Sequence, residues 1–292
     1  MIKALLISAR PKTLMVGIAP VLLGSALAYS SNSTNFSLVL FSLIFLCTVL
    51  LQMGTNLVNE YFDYLTGIDS ENRQGPKRSI QLGLVGPKEI KFFYLSCFLI
   101  SFILGLKLMS IGGMPIISIG LISILVAYAY TGGPIPLSHY CLGELLAFVF
   151  FGPVAVLGTV YLFNLDVNFS HVIFSLIPGF ISAGLMSLNN LRDISTDKLT
   201  TKKTIAILLG EKKARFLTLL LGIFPGIISI GIIIQTKKPL FFIFLLPPLL
   251  FIPLWKKILS EKSTMALNLG IAAFGKYNLL YCVLIAITLN FI

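Results

Sequence analysis

The sequence predicts an all-α polytopic membrane protein, with about nine transmembrane helices in two pseudo-repeated four-helix halves plus a ninth helix around a central cavity. Three observations predict it. Only 11% of the 292 residues are charged, against about 25% in a soluble domain, and mean hydropathy is +0.95. Charge-free runs extend from Leu14 to Glu60 and from Lys107 to Glu144, each long enough for two spans of roughly 20 residues. The polar ends of two of the apolar runs resemble each other. A β-barrel would instead show segments of about ten alternating residues.

Taken in order, the spans fall at about 13–31, 37–60, 92–110, 114–131, 142–163, 172–190, 215–235, 239–256 and 271–291. Basic Lys3, Arg10 and Lys12 precede the first run. No small-residue cleavage site leads into a soluble chain, so this run reads as retained rather than as a signal peptide. With the N-terminus in the cytoplasm, most of the 22 Lys and Arg residues fall on the cytoplasmic side, as the positive-inside rule requires. The expected location is therefore a bacterial-type inner membrane, with the two longest polar loops, 56–91 and 189–214, facing the cytoplasm. The whole chain, 1–292, reads as one transmembrane domain.

Composition also excludes several functions. Cys47, Cys97, Cys141 and Cys282 lie far apart in apolar runs, and His139 and His171 form no ligand spacing with them, so zinc and haem sites are not expected. The net charge of +11 is accounted for by basic loops beside anionic lipid, not by nucleic-acid binding.

The acids are concentrated in the same two loops. "NNLRDISTD" (189–197) places Asn189, Asp193 and Asp197 four residues apart, on one helical face. Aligned carboxylates near a low-dielectric bilayer repel and require a positive partner. Arg192, Lys198, Lys202 and Lys203 supply part of that charge, and a divalent cation would supply more. "NLVNEYFDYLTGIDSENRQGPKR" (56–78) repeats the pattern. Asn56, Asn59 and Asp63 share a face, Gly67 ends the helix, Asp69 follows in the turn, and then come Arg73, Lys77 and Arg78. Downstream, "KRSIQLGLVGPKE" (77–89) echoes "KKTIAILLGEKKA" (202–214). Carboxylates followed by guanidinium and ammonium groups suit diphosphate handling. Mg²⁺ takes one or two carboxylates together with phosphate oxygens, and Arg and Lys bind the remaining oxygens.

These two stretches resemble the signature motifs of the UbiA superfamily of intramembrane aromatic prenyltransferases. "ARPKTLMVGIAPVLLG" (9–24), Gly67-x-Asp69 and "YTGGP" (130–134) are similar to its menaquinone branch, the 1,4-dihydroxy-2-naphthoate polyprenyltransferases. The resemblance implies a polyprenyl diphosphate held through Mg²⁺ by Asp63, Asp69, Asp193 and Asp197, with Asn59 and Asn189 assisting. Arg73, Lys77, Arg78, Lys202 and Lys203 would neutralise the diphosphate. Arg10, Lys12, Asn56, Tyr128 and Tyr130 would meet the aromatic acid or the prenyl tail. The polyprenyl group passes to a dihydroxynaphthoate with loss of CO₂, giving demethylmenaquinone.

Two positions depart from the commonest first motif. Glu60 stands where an Asp follows the Asn, and Gly67 stands four residues past Asp63, the acid being displaced to Asp69. Glu60 keeps the charge on a longer arm. Glu144, at the start of the fifth span, either contributes to the site or caps the helix N-terminus, and the cap is the favoured reading. Other acceptors, such as 4-hydroxybenzoate or homogentisate, belong to the same chemistry. A secondary transporter is the rival class, although its acids would lie near the bilayer midplane rather than at one edge.

Overall fold

A computed structural model describes residues 2–68, 73–261 and 263–290, apart from the side chains of Ile2 and Lys12. A short helix α1 (Ile2–Ala9) leads into α2 (Pro11–Ser31), then α3 (Leu38–Leu65) and α4 (Pro87–Ala129). The crossings continue with α5 (Gly143–Asn164), α6 (Phe169–Arg192), the single turn α7 (Ile194–Asp197), α8 (Ile205–Thr236), α9 (Pro239–Ser260) and α10 (Thr264–Leu289). Among the described residues there is no strand, only a bridge between Tyr140 and Lys203.

Eight of these helices are long and apolar enough to cross a membrane, where about nine spans were expected. The difference lies in α4. Its 43 residues would extend about 65 Å at 1.5 Å per residue, roughly twice the hydrocarbon core. Gly113 breaks it with φ 59° and ψ −150°, a conformation open to glycine. The arms 87–112 and 114–129 match the third and fourth predicted spans. The other expected spans each coincide with one crossing, of which α9 is a 3₁₀ run, Pro239–Leu245, followed by two short α-helices. α8 begins ten residues before its predicted start: the charged stretch Glu211–Arg215 continues the helix out of the apolar layer, and a short helical turn, 205–209, precedes it across a break at Gly210.

Local chemistry sets several helix ends. Ser37, Thr204 and Ser263 each accept the backbone N–H three residues on. Asn168 accepts from the His171 N–H, and His171 Nδ1 accepts from the Asn168 N–H, a reciprocal cap. Pro153 cannot donate to the ladder, and the residues around it, Phe150–Val154, form a π-turn inside α5, a feature frequent at functional sites.

The bundle has separate apolar cores. One joins α3 to the first arm of α4 through Leu57, Val58, Ile90, Tyr94 and Phe98. A larger one joins α2, α5, α6, α8 and α10 through Leu23, Val160, Ile181, Ile232, Phe274 and Tyr281. Where α5 crosses α6, a Cβ on Gly152 would lie 2.7 Å from Gly179 Cα, so the backbones touch, as small residues permit in membrane bundles. The central cavity, about 400 Å³, lies between these cores.

Both halves repeat one local design. After the acidic helix end, a basic residue and a hydroxyl residue (Arg78-Ser79, Lys203-Thr204) precede a short turn. A glycine at positive φ, Gly83 or Gly210, then separates that turn from the next membrane helix.

Candidate active site

The polar end of the cavity is built from the C-terminal ends of α3 and α6. Asn56, Asn59 and Asp63 line it from α3, and Asn189, Asp193 and Asp197 line it from α6 and α7. The second stripe survives the end of α6 because Asp193 N–H donates to Asn189 O at 3.1 Å and Asp197 N–H to Asp193 O at 2.8 Å. The helical spacing therefore carries through the bend at Asp193.

Cations from both loops occupy these acids. Arg78 Nη2 lies 2.6 Å from Asp63 Oδ2. Arg192 forks onto Asp193 through Nε at 2.7 Å and Nη2 at 2.5 Å, and Nη2 also donates to Asn189 Oδ1 at 2.9 Å. Lys202 Nζ lies 3.7 Å from Asp197 Oδ1 and 4.0 Å from Asp63 Oδ1, so one ammonium joins the two stripes. Burial first raises the Asp197 carboxyl, to about 6; Lys202 opposes the shift, while Asp193 and Asp63 add to it. Lys202 alone therefore does not offset the burial of Asp197.

The donor set suits a hard cation. It consists of carboxylate and amide oxygens, the ligands Mg²⁺ prefers, and a protein ammonium already stands between two of the carboxylates. Among the described residues no three His, Cys, Asp or Glu side chains close round one point. An ion here would take one or two carboxylates and complete its shell with substrate oxygens and water.

The structure separates neighbours that the sequence groups together. Arg73, Arg78 and Lys202 face the cavity, whereas Lys77 and Lys203 are exposed and do not line it. Lys203 runs extended beside 139–141, its N–H donating to His139 O at 3.1 Å and its carbonyl accepting from Cys141 N–H at 2.9 Å. Adjacent side chains of an extended segment point to opposite sides, so only Lys202 turns inward. Tyr130 lines the cavity and donates its hydroxyl to Met186 Sδ at 3.3 Å. Burial and then Glu144 raise its phenol. Tyr128 instead packs edge-on against Phe62 outside the cavity. Two residues apart is about 200° round a helix, so the two rings cannot share a face. Asp69 lies outside the described residues, as does the Lys12 side chain.

Glu60 faces away from the cavity. It is 1% exposed and accepts from Ser79 Oγ at 2.5 Å and from the Ile80 N–H at 2.9 Å. Its carboxylate anchors the segment that delivers Arg78. Glu144 is buried in the first turn of α5 and accepts from Asn190 Nδ2 at 3.0 Å, tying α5 to α6. Arg10 lines the cavity beside Asn56 and Thr13. Its Nη2 is buried with no hydrogen-bond partner, and burial, then Arg78 and Arg73, lower the guanidinium to about 9.

Site residues absent from the sequence-based list are Arg192 and Thr131. Arg192 enters the sequence reading only as nearby charge, yet it bonds two site side chains, Asn189 and Asp193, and ties them to Asn268 of α10. Thr131, inside "YTGGP", donates to Asn59 Oδ1 at 2.5 Å, so that stretch positions a motif residue as well as a ring.

The model of the UbiA prenyltransferase family matches residues 17–289. The chain belongs to the UbiA prenyltransferase family. UbiA relatives include a 1,4-dihydroxy-2-naphthoate octaprenyltransferase of Haemophilus influenzae, 37% identical over 71% of this chain and 70% of the relative. One of the same description from Mycobacterium tuberculosis is 35% identical over 78% and 77%. The solved structure of a UbiA homologue from Archaeoglobus fulgidus, bound to DMAPP and Mg²⁺, superposes with TM-score 0.72 at 13% identity, covering 99% of this chain and 100% of that one. The UbiA fold therefore holds over the whole chain, which is an integral, multi-pass membrane protein.

Proposed function

We propose that the protein transfers a polyprenyl group from a polyprenyl diphosphate to a dihydroxynaphthoate, with loss of the acceptor's carboxyl as CO₂ and release of diphosphate. The product is the reduced form of demethylmenaquinone. One observation carries this reading: two acid-and-cation loops meet at the mouth of a single cavity whose other end is apolar. The relatives named above support the choice of acceptor. The mouth faces the cytoplasm, the side on which the Lys and Arg residues concentrate.

Asn59, Asp63, Asn189, Asp193 and Asp197 would hold Mg²⁺, with Asp69 a further candidate ligand. The ion would supply a Lewis acid on the diphosphate oxygens. The chain's own cations do the rest of the gripping. Arg78, Lys202 and Arg192 turn from their carboxylates toward phosphate oxygens, which Arg holds bidentately, and Arg73 joins them from the first loop. Fixed positive groups aimed at the leaving diphosphate stabilise the charge that grows as the allylic C–O bond breaks.

The allylic carbon then lies in the apolar part of the cavity, near Tyr130, Phe150 and Phe151. Their rings can face a carbocation, and the absence of bulk water protects it from hydrolysis. Arg10 is the cation for the acceptor's carboxylate, with Asn56 beside it. The new carbon–carbon bond replaces the ring–carboxyl bond, so the electron pair of that bond restores the ring and no ring proton has to leave.

The test is purified protein in nanodiscs with labelled polyprenyl diphosphate, Mg²⁺ and a panel of dihydroxynaphthoates, 4-hydroxybenzoate and homogentisate. Prenylated naphthoquinol and stoichiometric CO₂ are expected. No prenylated product from any acceptor would overturn the reading, and product from 4-hydroxybenzoate alone would move the acceptor.

A further inference from the structure

The cavity extends well beyond its polar mouth. Its apolar arm runs between α4, which supplies Leu108, Ile116 and Ile119, and α5, which supplies Phe150, Val154 and Gly158. A second hollow of about 300 Å³ lies against it, lined by apolar side chains apart from the Tyr161 phenol. Three residues, Ile119, Val154 and Gly158, line both spaces, so the two meet there. Two backbone irregularities of the bundle flank this junction. One is the Gly113 break in α4, followed by Pro115 in the wall. The other is the π-turn of α5 with Pro153 in the wall.

Gly158 differs from the glycines at which helices touch. A Cβ on Gly24, Gly152 or Gly184 would meet an atom at 2.6–2.8 Å, so those residues are small because another helix touches them. Gly158 is buried, yet a Cβ there would meet nothing within 4 Å. Its missing side chain leaves room in the passage rather than room for a helix. The opposite wall of the bundle is closed. Asn278 Nδ2 on α10 donates to Val16 O on α2 at 3.4 Å, and no α10 side chain lines the cavity.

We propose that the donor's prenyl tail leaves the reaction chamber between the break in α4 and the π-turn of α5, and that Gly158 determines how long a tail passes. The inference rests on the prenyl-transfer reading above. A polyprenyl chain suits the passage because it is flexible, wholly apolar and covalently joined to the diphosphate held at the polar end. The far hollow would take the units that the chamber cannot.

The experiment compares kcat/KM for geranyl diphosphate and for an octaprenyl diphosphate in the wild type, Gly158→Ala, Gly158→Leu and Ile119→Trp, all in nanodiscs. Selectivity for the short donor over the long one should rise stepwise from Ala to Leu, by about tenfold or more at Leu. Ile119→Trp should reproduce it from the facing wall. An unchanged ratio in Gly158→Leu and Ile119→Trp, or an equal loss of both donors, would overturn the assignment. An unchanged ratio together with loss of a co-purifying phospholipid in native mass spectrometry would give the hollow to a bilayer acyl chain instead. A wild type inactive with both donors would sink the prenyl-transfer reading itself, a different result from an active enzyme whose selectivity ignores Gly158.

Discussion

Lys202, from the loop after α6, lies 4.0 Å from Asp63 at the end of α3. The residues are far apart in sequence and belong to different halves of the bundle, so this ammonium couples the two acidic stripes. Replacing it with Met keeps the apolar stem and removes the charge. K202M should lower kcat/KM for the diphosphate donor by about 10²–10³, the usual cost of one preorganised charge-stabilising group. Asp63→Asn and Asp193→Asn should abolish Mg²⁺-dependent transfer while leaving membrane insertion intact. Initial rates at varied donor and Mg²⁺ check all three, and normal turnover in the Asn variants would remove the metal assignment.

Glu60 separates a structural from a metal-binding role. Its Oε1 accepts two hydrogen bonds, and a Gln can accept both through its amide oxygen. Glu60→Gln should therefore retain most activity and an unchanged Mg²⁺ dependence. Glu60→Ala strands the buried Ile80 N–H, at about 1–3 kcal/mol, and leaves the Ser79 hydroxyl to its other partner, Ser8; it should lower both thermal stability and activity as Arg78 loses its support. A strongly raised Mg²⁺ requirement in Glu60→Gln would make Glu60 a ligand after all.

Arg10 should affect one substrate only. Its buried, unpartnered Nη2 awaits an anion, and Arg10→Met should raise KM for the carboxylated acceptor by about tenfold or more, with donor KM nearly unchanged. Steady-state titration of each substrate in turn decides the point. An equal rise for the donor would place Arg10 on the diphosphate.

The pH dependence follows from Asp197. Its carboxyl is raised to about 6 by burial, so the folded protein binds this proton more tightly than the unfolded chain. Stability from this group is therefore greatest at low pH and declines as pH rises from the ordinary carboxylate range to about 6. Above pH 6 the ionised form needs a cation. Mg²⁺ should raise the melting temperature more at pH 7.5 than at pH 5, and Asp197→Asn should flatten that difference. Melting curves with and without Mg²⁺ measure it; equal metal stabilisation at both pH values would count against Asp197.

Much of this protein was legible without coordinates. Hydropathy and positive-inside charge are local, additive properties of the chain, and they located the crossings to within a few residues at most ends. α4 resolved into two arms as they required. The Asn-x-x-x-Asp spacings placed Asn59 with Asp63 and Asn189 with Asp193 on single faces because helical periodicity needs only the backbone. What tertiary structure decided is which neighbour turns inward. Arg78 rather than Lys77, Lys202 rather than Lys203 and Tyr130 rather than Tyr128 face the cavity. The loop cations are oriented where long-range contacts hold their segments: Glu60 on Ser79, and Lys203 on 139–141. Adjacent residues in a loop are equivalent to any sequence pattern, and only distant contacts choose between them. The open side of Gly158 has the same origin, since a glycine that admits a helix and a glycine that leaves a passage are identical until the opposite wall is in place.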